Sequence, residues 1–293
     1  MRALVLGGMF AAGVAYAGPK PASPRAAIEA ILRANIAGLP KFERDAQKLG
    51  IEPSTIAYLT TGTRATVDDN GTFSDNFYGD WQATIEHKPA TPTIVIDASG
   101  ELAWFQAPYT IAADSQNPDG KRDVLSWVAR LGGIAVRKDG VWHLAVAAYS
   151  YTISDRELFA TEPRGDWDKV ATVEPELHGD AALAKAFAGW FASGFAAHAG
   201  PAAQLVASGS SPGEFRTGAG ALPLVKSWDG LGLYPLAIEA TQVAGGKAAI
   251  VRADVQIPVK KTGHAARLEL FAVVVRDGGD WRWVSLQYGK RDY

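Results

Sequence analysis

The chain has 293 residues, 29 Lys+Arg against 31 Asp+Glu, 47% hydrophobic side chains and no cysteine. That length favours two domains, each able to bury its own core, and the near-zero net charge of −2 lacks the basic excess that a phosphate backbone demands. Without Cys there are no disulfides, no thiolate catalysis, no Cys-ligated zinc and no lipid attachment through an N-terminal Cys. Residues 1 to 17 place Arg2 before an apolar stretch from Ala3 to Ala15, then Ala15-Tyr16-Ala17 before Gly18-Pro19. This is the layout of a signal peptide, with cleavage expected after Ala17 and export to the periplasm or medium. The mature charge would be 28 − 31 = −3, since Arg2 is the charged residue removed. No other stretch is apolar for the roughly 20 residues of a membrane span.

Ser23-Pro24 opens a helix with Ile28, Ile31, Leu32 and Ile36 on one face, interrupted by Gly38-Leu39-Pro40. Strands follow as hairpins. Thr93 to Asp97 turns at Ala98-Ser99-Gly100 into Glu101 to Ile111, and Leu125 to Val136 turns at Asp139-Gly140 into Trp142 to Tyr151. Thr161 to Gly179, rich in charge, Pro and Gly, reads as a linker. Asp180 then caps a helix from Ala181 to about Ala199, carrying Leu183, Phe187, Trp190, Phe191 and Phe195 at helical steps, and Gly200-Pro201 stops it. Two more hairpins close the chain: Leu236 to Val243 with Lys247 to Val259, and Leu268 to Val275 with Trp281 to Tyr288.

The order of elements repeats, and so does the punctuation. Thr61-Gly62-Thr63 matches Ser208-Gly209-Ser210, Gly71 matches Gly218 and Trp81 matches Trp228, all at an offset of 147. Arg137 to Trp142 then matches Arg276 to Trp281, and Tyr149 matches Tyr288, at an offset of 139, with Trp and Tyr seven residues apart in both copies. A polar insertion, Asp114 to Gly120, absorbs the difference. Each copy is helix first, then a long curved antiparallel sheet, an α+β layout. The division expected is a leader at 1–17, a first domain at 24–158, a linker at 159–178 and a second domain at 179–293.

An apolar N-terminal helix, a Gly-flanked turn and a terminal Asp-Gly hairpin leading into a Trp-started strand resemble the SnoaL-like branch of the nuclear transport factor two superfamily. In the second copy, Ala207-Ser208-Gly209-Ser210-Ser211-Pro212-Gly213-Glu214-Phe215-Arg216-Thr217-Gly218 is similar to that branch's Gly-Thr-Asp-Pro-x-Glu-x-x-x-Gly stretch. The resemblance implies two cone-shaped domains, each a bent sheet around helices with a pocket at the open end. Many members carry His-x-His four and six residues after the terminal-strand Trp. Here those positions are Val146 and Ala148, and Ser285 and Gln287, none of which takes a proton near neutral pH.

By strict alternation, Trp142, Leu144, Val146, Ala148 and Ser150 share one face, and Trp281, Trp283, Ser285 and Gln287 share another. The ligand-contacting residues expected on this basis are Trp228, Trp283, Ser285, Gln287 and Tyr288, with Trp142 and Ser150 in the first copy. Trp81, Trp104 and Trp127 supply further large surfaces for packing or an interface. Gly209-Ser210-Ser211-Pro212-Gly213 has the spacing of a serine-hydrolase elbow, but the oxyanion hole needs an N–H from the residue after the nucleophile, and that residue is Pro212. It reads as a turn. His87, His143, His178, His198 and His264 lack metal-ligand spacing, so no metal and no cofactor is expected.

Asp123, Asp254, Glu269 and Glu214 remain as acids, and Asp254 and Glu269 interrupt otherwise apolar strands. Asn70-Gly71-Thr72 fits a glycosylation sequon but equally a type I′ turn, and Arg164-Gly165-Asp166 fits an adhesion tripeptide but lies in the linker, so both matches are incidental. The sequence thus points to an exported, non-catalytic tandem module. Its two copies would pack sheet to sheet as an intramolecular pseudo-dimer, monomeric overall, and its pockets would take a small apolar molecule or a peptide. The enzyme alternative uses Asp254 or Glu269 as base in the second domain, beside Ser285, Gln287 or Tyr288, for isomerisation, dehydration or cyclisation. A third reading is recruitment of a protein partner through exposed Trp and Tyr.

Overall fold

The structure, a computed structural model, describes residues 23–41, 45, 50–59, 64–65, 83–116, 122–153, 173–259 and 264–290. The leader, Trp81, the sequon, the tripeptide and Thr61 to Thr63 lie outside the described residues. Ser23 caps α1 (Pro24–Gly38): its Oγ accepts the N–H of Ala26 at 3.2 Å, and Ile28, Leu32, Asn35 and Ile36 form its buried face. The strands of the first half are β1 (Ile51–Tyr58), β2 (Arg64–Ala65), β3 (Ala83–Pro89), β4 (Thr93–Ile96), β5 (Leu102–Gln116), β6 (Arg122–Lys138) and β7 (Val141–Tyr151). The second half has β8 (Glu176–Gly179), α2 (Ala181–Ser193), β9 (Val206–Ser208), β10 (Phe215–Thr217), α3 (Ala221–Trp228), β11 (Tyr234–Val243), β12 (Ala248–Val259), β13 (His264–Asp277) and β14 (Asp280–Lys290).

Each half is a helix laid on a long antiparallel sheet, as the α+β pattern implies. The hairpin turns fall where Asp-Gly and Gly-Gly allow positive φ, at Asp139 (51°) and Gly140 (82°), and at Gly278 (60°) and Gly279 (98°). Two differences from the sequence reading are instructive. Residues 176–179, expected to end the linker, form β8, which runs parallel to β11 at the sheet edge. The helix expected to reach Ala199 stops at Ser193, because Gly194 takes φ 86° and the chain continues as a short 3-10 turn.

Parallel strands that the repeat did not reveal complete each sheet. β1 pairs with β7, setting Tyr58 against Ala148, and β9 pairs with β14, setting Ser208 against Gln287. Ala148 and Gln287 are equivalent at the offset of 139, so Ser208 corresponds to Tyr58, and the offset there is 150 rather than 147.

The concave face of each sheet holds its own core. In the first half Ile28, Leu32 and Ile36 meet Phe105, Leu131, Leu144 and Tyr149; in the second Leu183, Phe187 and Trp190 meet Val251, Leu270, Trp283 and Leu286. A third core lies between the halves. Tyr58, Trp104, Ile134, Val146 and Ala148 from the outer face of the first sheet cluster with Val206, Ile250, Phe271, Val273 and Val284 from that of the second. Polar groups cross this seam too: Gln106 Nε2 donates to Ser285 Oγ at 3.0 Å and to the Leu286 carbonyl at 2.9 Å, and Trp104 Nε1 donates to the Gln204 carbonyl at 2.9 Å. One ladder pair, Tyr151 with Lys290, joins the two sheets edge to edge.

Candidate functional site

The interior of the second cone is built on α2, whose Asp180 cap accepts the N–H of Leu183 at 3.0 Å. Phe187 lies 4.9 Å from Trp190 and 5.4 Å from Phe195, centroid to centroid, and the Phe195 carbonyl accepts Trp283 Nε1–H at 2.6 Å. From α3, Trp228 meets Tyr288 edge-on at 4.6 Å and 84°. Inward positions on β12 (Ala249, Val251, Ala253, Val255, Ile257) and β13 (Ala266, Leu268, Leu270, Ala272, Val274) are all apolar. Into this lining comes the Tyr288 hydroxyl, with no hydrogen-bond partner among the described residues. Burial, aided by Asp229, pushes its pKa up, so it stays protonated and offers one donor and an acceptor oxygen.

The first cone answers the same residue differently. Tyr149 donates its hydroxyl to Asn35 Oδ1 of α1 at 2.7 Å, and burial raises its pKa against the opposing effect of that bond. Nearby, buried His87 sets Nδ1 3.0 Å from the Ile36 carbonyl and lies 5.0 Å from the Tyr109 ring, and burial lowers its pKa to about 4. Trp142 packs in this core.

The expected single pocket face does not exist in either copy. A β-bulge shifts the register between Ile134 and Ala135 opposite β7, and between Val273 and Val274 opposite β14. The extra residue turns the alternation over, so that everything beyond it points to the other side. Trp142 and Leu144 therefore line the first cone, while Val146, Ala148 and Ser150 face the seam. In the second copy Trp281, Trp283 and Tyr288 belong to the cone. Ser285 and Gln287 face the first half: Ser285 accepts from Gln106, and Gln287 Nε2 donates to Ser150 Oγ at 2.9 Å. The site residues that come together are Trp228, Trp283 and Tyr288; Ser285, Gln287 and Ser150 are interface residues.

Asp254 and Glu269 are cross-strand partners on the outer face of the second sheet, away from the cone. Fully buried Glu269 accepts from Arg252 Nε, and the Arg252 guanidinium lies over the Tyr58 ring at 5.9 Å. Burial works against the Arg252 charge, but Glu269 and its neighbouring acids raise the pKa overall. Arg64 of the first half pairs with Glu239 at 3.5 Å. Beside this network His178, Ala237, Glu239, Arg252 and Asp254 line an open cleft of about 180 Å³.

The Gly209 to Gly213 turn has a role that its sequence did not announce. Buried Arg130 of the first half donates to the carbonyls of Gly209 and of Ser211, the latter at 2.6 Å, and the Ile153 N–H donates to the Ser210 carbonyl at 2.9 Å. Burial lowers the pKa of Arg130 to about 10 despite Glu214 nearby. Glu214 Oε2 in turn accepts the Ser211 N–H at 3.2 Å, which shapes the turn for the guanidinium. Of the other expected residues, Trp104 sits in the seam, Trp127 meets Tyr151 edge-on at 6.1 Å, and His143 pairs with Glu52 at 3.2 Å. His198 stacks on Trp190 at 4.8 Å. The side chains of Asp123 and His264 lie outside the described residues. Among the described residues no group of three or more His, Asp or Glu could hold a metal, and no helix is long and apolar enough to cross a membrane.

No family model matches the chain, and no curated protein matches it. Solved structures do. The Kfla4162 protein from Kribbella flavida is similar at 18% identity, over 44% of this chain and 91% of its own, with a TM-score of 0.35. An uncharacterized protein with a cystatin-like fold from Caulobacter vibrioides has 19% identity over 44% and 90%, TM-score 0.33. The hexachlorocyclohexane dehydrochlorinase LinA-type3 from Novosphingobium barchaimii has 13% identity over 44% and 86%, TM-score 0.34. In the structure itself, each half has the arrangement that the SnoaL-like resemblance implies: an N-terminal helix held in a bent antiparallel sheet.

Proposed function

We propose that this protein is an exported, non-catalytic binding module that takes a small apolar molecule carrying one hydrogen-bonding group into its second cone. The supporting observation is the contrast between the two tyrosines. Leaving a buried hydroxyl unpaired costs about 1–3 kcal/mol, and the first cone avoids that through Asn35 while the second does not. A ligand oxygen or nitrogen at Tyr288, beneath the edge of Trp228, completes the second cone. Asp254 and Glu269 point away from that lining, so an enzyme reading with either as base inside the cone loses its base. In this reading the chain is a monomer, and the second half stands where a partner subunit would; the seam between the halves supports it.

Native mass spectrometry of the gently purified, exported chain tests this. Expected are a mass beginning at Gly18, a monomer, and retained or added small-molecule mass that Tyr288→Phe loses. A ligand-free spectrum after exposure to an apolar compound library, unchanged by Tyr288→Phe, would overturn the binding role, and a mass retaining Met1 would overturn cleavage of the leader.

A further inference from the structure

The matching bulges make the two outer faces comparable residue by residue. Counting from them, Arg130 of β6 corresponds to Glu269 of β13, and Gly132 to Phe271. The next strand over adds Gln106 and Arg252, which pair with Gly132 and Phe271 respectively. Tyr58 corresponds to Ser208, and Ala148 to Gln287.

At these positions, Gln106 and Arg252 apart, the two copies hold residues of opposite size or charge. Where the second face has the bulk of Phe271, the first has Gly132, and a Cβ there would come within 2.3 Å of Gln287 Oε1. Where the second has the long Gln287, the first has Ala148. Phe271 lies against Tyr58, the strand neighbour of Ala148, with ring centroids 5.5 Å apart. Small therefore meets large where Gly132 faces Gln287. Charge follows the same rule. Arg130 of the first face meets the carbonyls of the second half's turn, and Glu239 of the second face meets Arg64 of the first.

We infer that the two sheet faces are mutually complementary and self-excluding, so that each accepts the unlike half and rejects its own kind. Two first faces in the same two-fold arrangement would oppose Gly132 to Ala148 twice, leaving holes, and would bring Arg130 toward the strand that carries Arg64. Two second faces would oppose Phe271 to Gln287 twice, an overlap, and would point Glu269 at the carbonyls that Arg130 now satisfies. Overpacking and unpaired buried charge each exclude a wrong partner more sharply than lost contact does. The partner that fits either face is thus the other half, from this chain or from a second copy that has exchanged halves.

The full chain allows a direct test with paired double variants. Gly132→Phe with Gln287→Ala exchanges the large and small members of one contact and keeps them complementary. Gly132→Phe with Ala148→Gln gives the first face the second's pattern, so that like meets like. The apparent Tm of the first pair should recover to above that of Gly132→Phe alone. The like-with-like pair should fall below the exchanged pair by roughly 5 °C or more. Equal melting of the two double variants, or no loss in Gly132→Phe itself, would overturn size complementarity. The charge component is read separately: Arg130→Glu, which copies the second face's acid, should melt well below Arg130→Met, and equal melting of those two would overturn it.

Discussion

Tyr149 and Tyr288 stand seven residues after Trp142 and Trp281 in the two halves, both pointing into their cones, yet one hydroxyl is bonded to Asn35 and the other to no group among the described residues. The same substitution should therefore have opposite signs. Tyr149→Phe removes the buried hydrogen bond to Asn35 and should lower stability by about 1–2 kcal/mol, whereas Tyr288→Phe removes a hydroxyl with no partner among the described residues and should leave the ligand-free protein as stable or more so by up to about 1 kcal/mol. Urea unfolding of the two variants compares them; a larger loss in Tyr288→Phe would mean that its hydroxyl already has a structural partner.

His87 gives the first half a pH response. Its pKa falls from 6.5 to about 4 on folding, because burial disfavours the imidazolium. Above pH 6.5 both states are neutral and the histidine adds no pH dependence. Below it the unfolded chain takes up a proton that the folded one refuses, so stability declines from about pH 6.5 to about 4 and the loss is complete below that. The full effect is on the order of 2–3 kcal/mol. Stability measured against pH for wild type and His87→Leu should differ in slope within that window, and parallel curves would remove His87 as the source.

The buried Arg252–Glu269 pair should be far more sensitive to losing one partner than both. Glu269→Leu takes the nearest acid from the half-buried Arg252 guanidinium, which keeps Glu239 and Asp254 nearby, and should cost about 1–3 kcal/mol, while Arg252→Met together with Glu269→Leu should restore most of it. Additive losses in the denaturation midpoints would show that the two side chains act independently.

Gly133 sits beside the bulge, and a Cβ there would lie 2.0 Å from the Val146 carbonyl oxygen, which is backbone and cannot rotate away. Gly133→Ala should destabilise by about 3 kcal/mol or more, beyond the range of ordinary surface changes. Gly213→Ala, with nothing within 4 Å of the new methyl, is the control and should be nearly neutral. Similar melting of both variants would show that the bulge relaxes to make room.

Local chemistry made much of this fold legible. Ser23 and Asp180 cap the helices from their expected places, and the Asp-Gly and Gly-Gly turns set the terminal hairpins. What alternation could not convey was the bulge, because Leu144 to Ala148 is apolar on both sides and gives no period to break. The spacing of Trp and Tyr nevertheless held the signal: seven is odd, so two residues on one face at that separation require one extra residue between them. Hence Trp228, Trp283 and Tyr288 could be placed together from sequence, and Ser285 and Gln287 could not be placed apart from them. The parallel strands β1 and β9 stayed hidden for another reason. They are short, and their partners lie about 80 to 90 residues away, beyond any local pattern. Arg130 was equally silent, since a single Arg in a strand gives no sign that it will meet a turn 79 residues later.

The seam also sets a timetable for biosynthesis. The face bearing Trp104, Ile134 and Val146 is finished once β7 is made, but its cover comes from β9, β12, β13 and β14, and the last of these ends at Lys290. Through most of its emergence the nascent protein thus presents a bare apolar sheet, the kind of surface that draws chaperones or neighbouring chains. It becomes safe when the final strand arrives and pairs Lys290 with Tyr151.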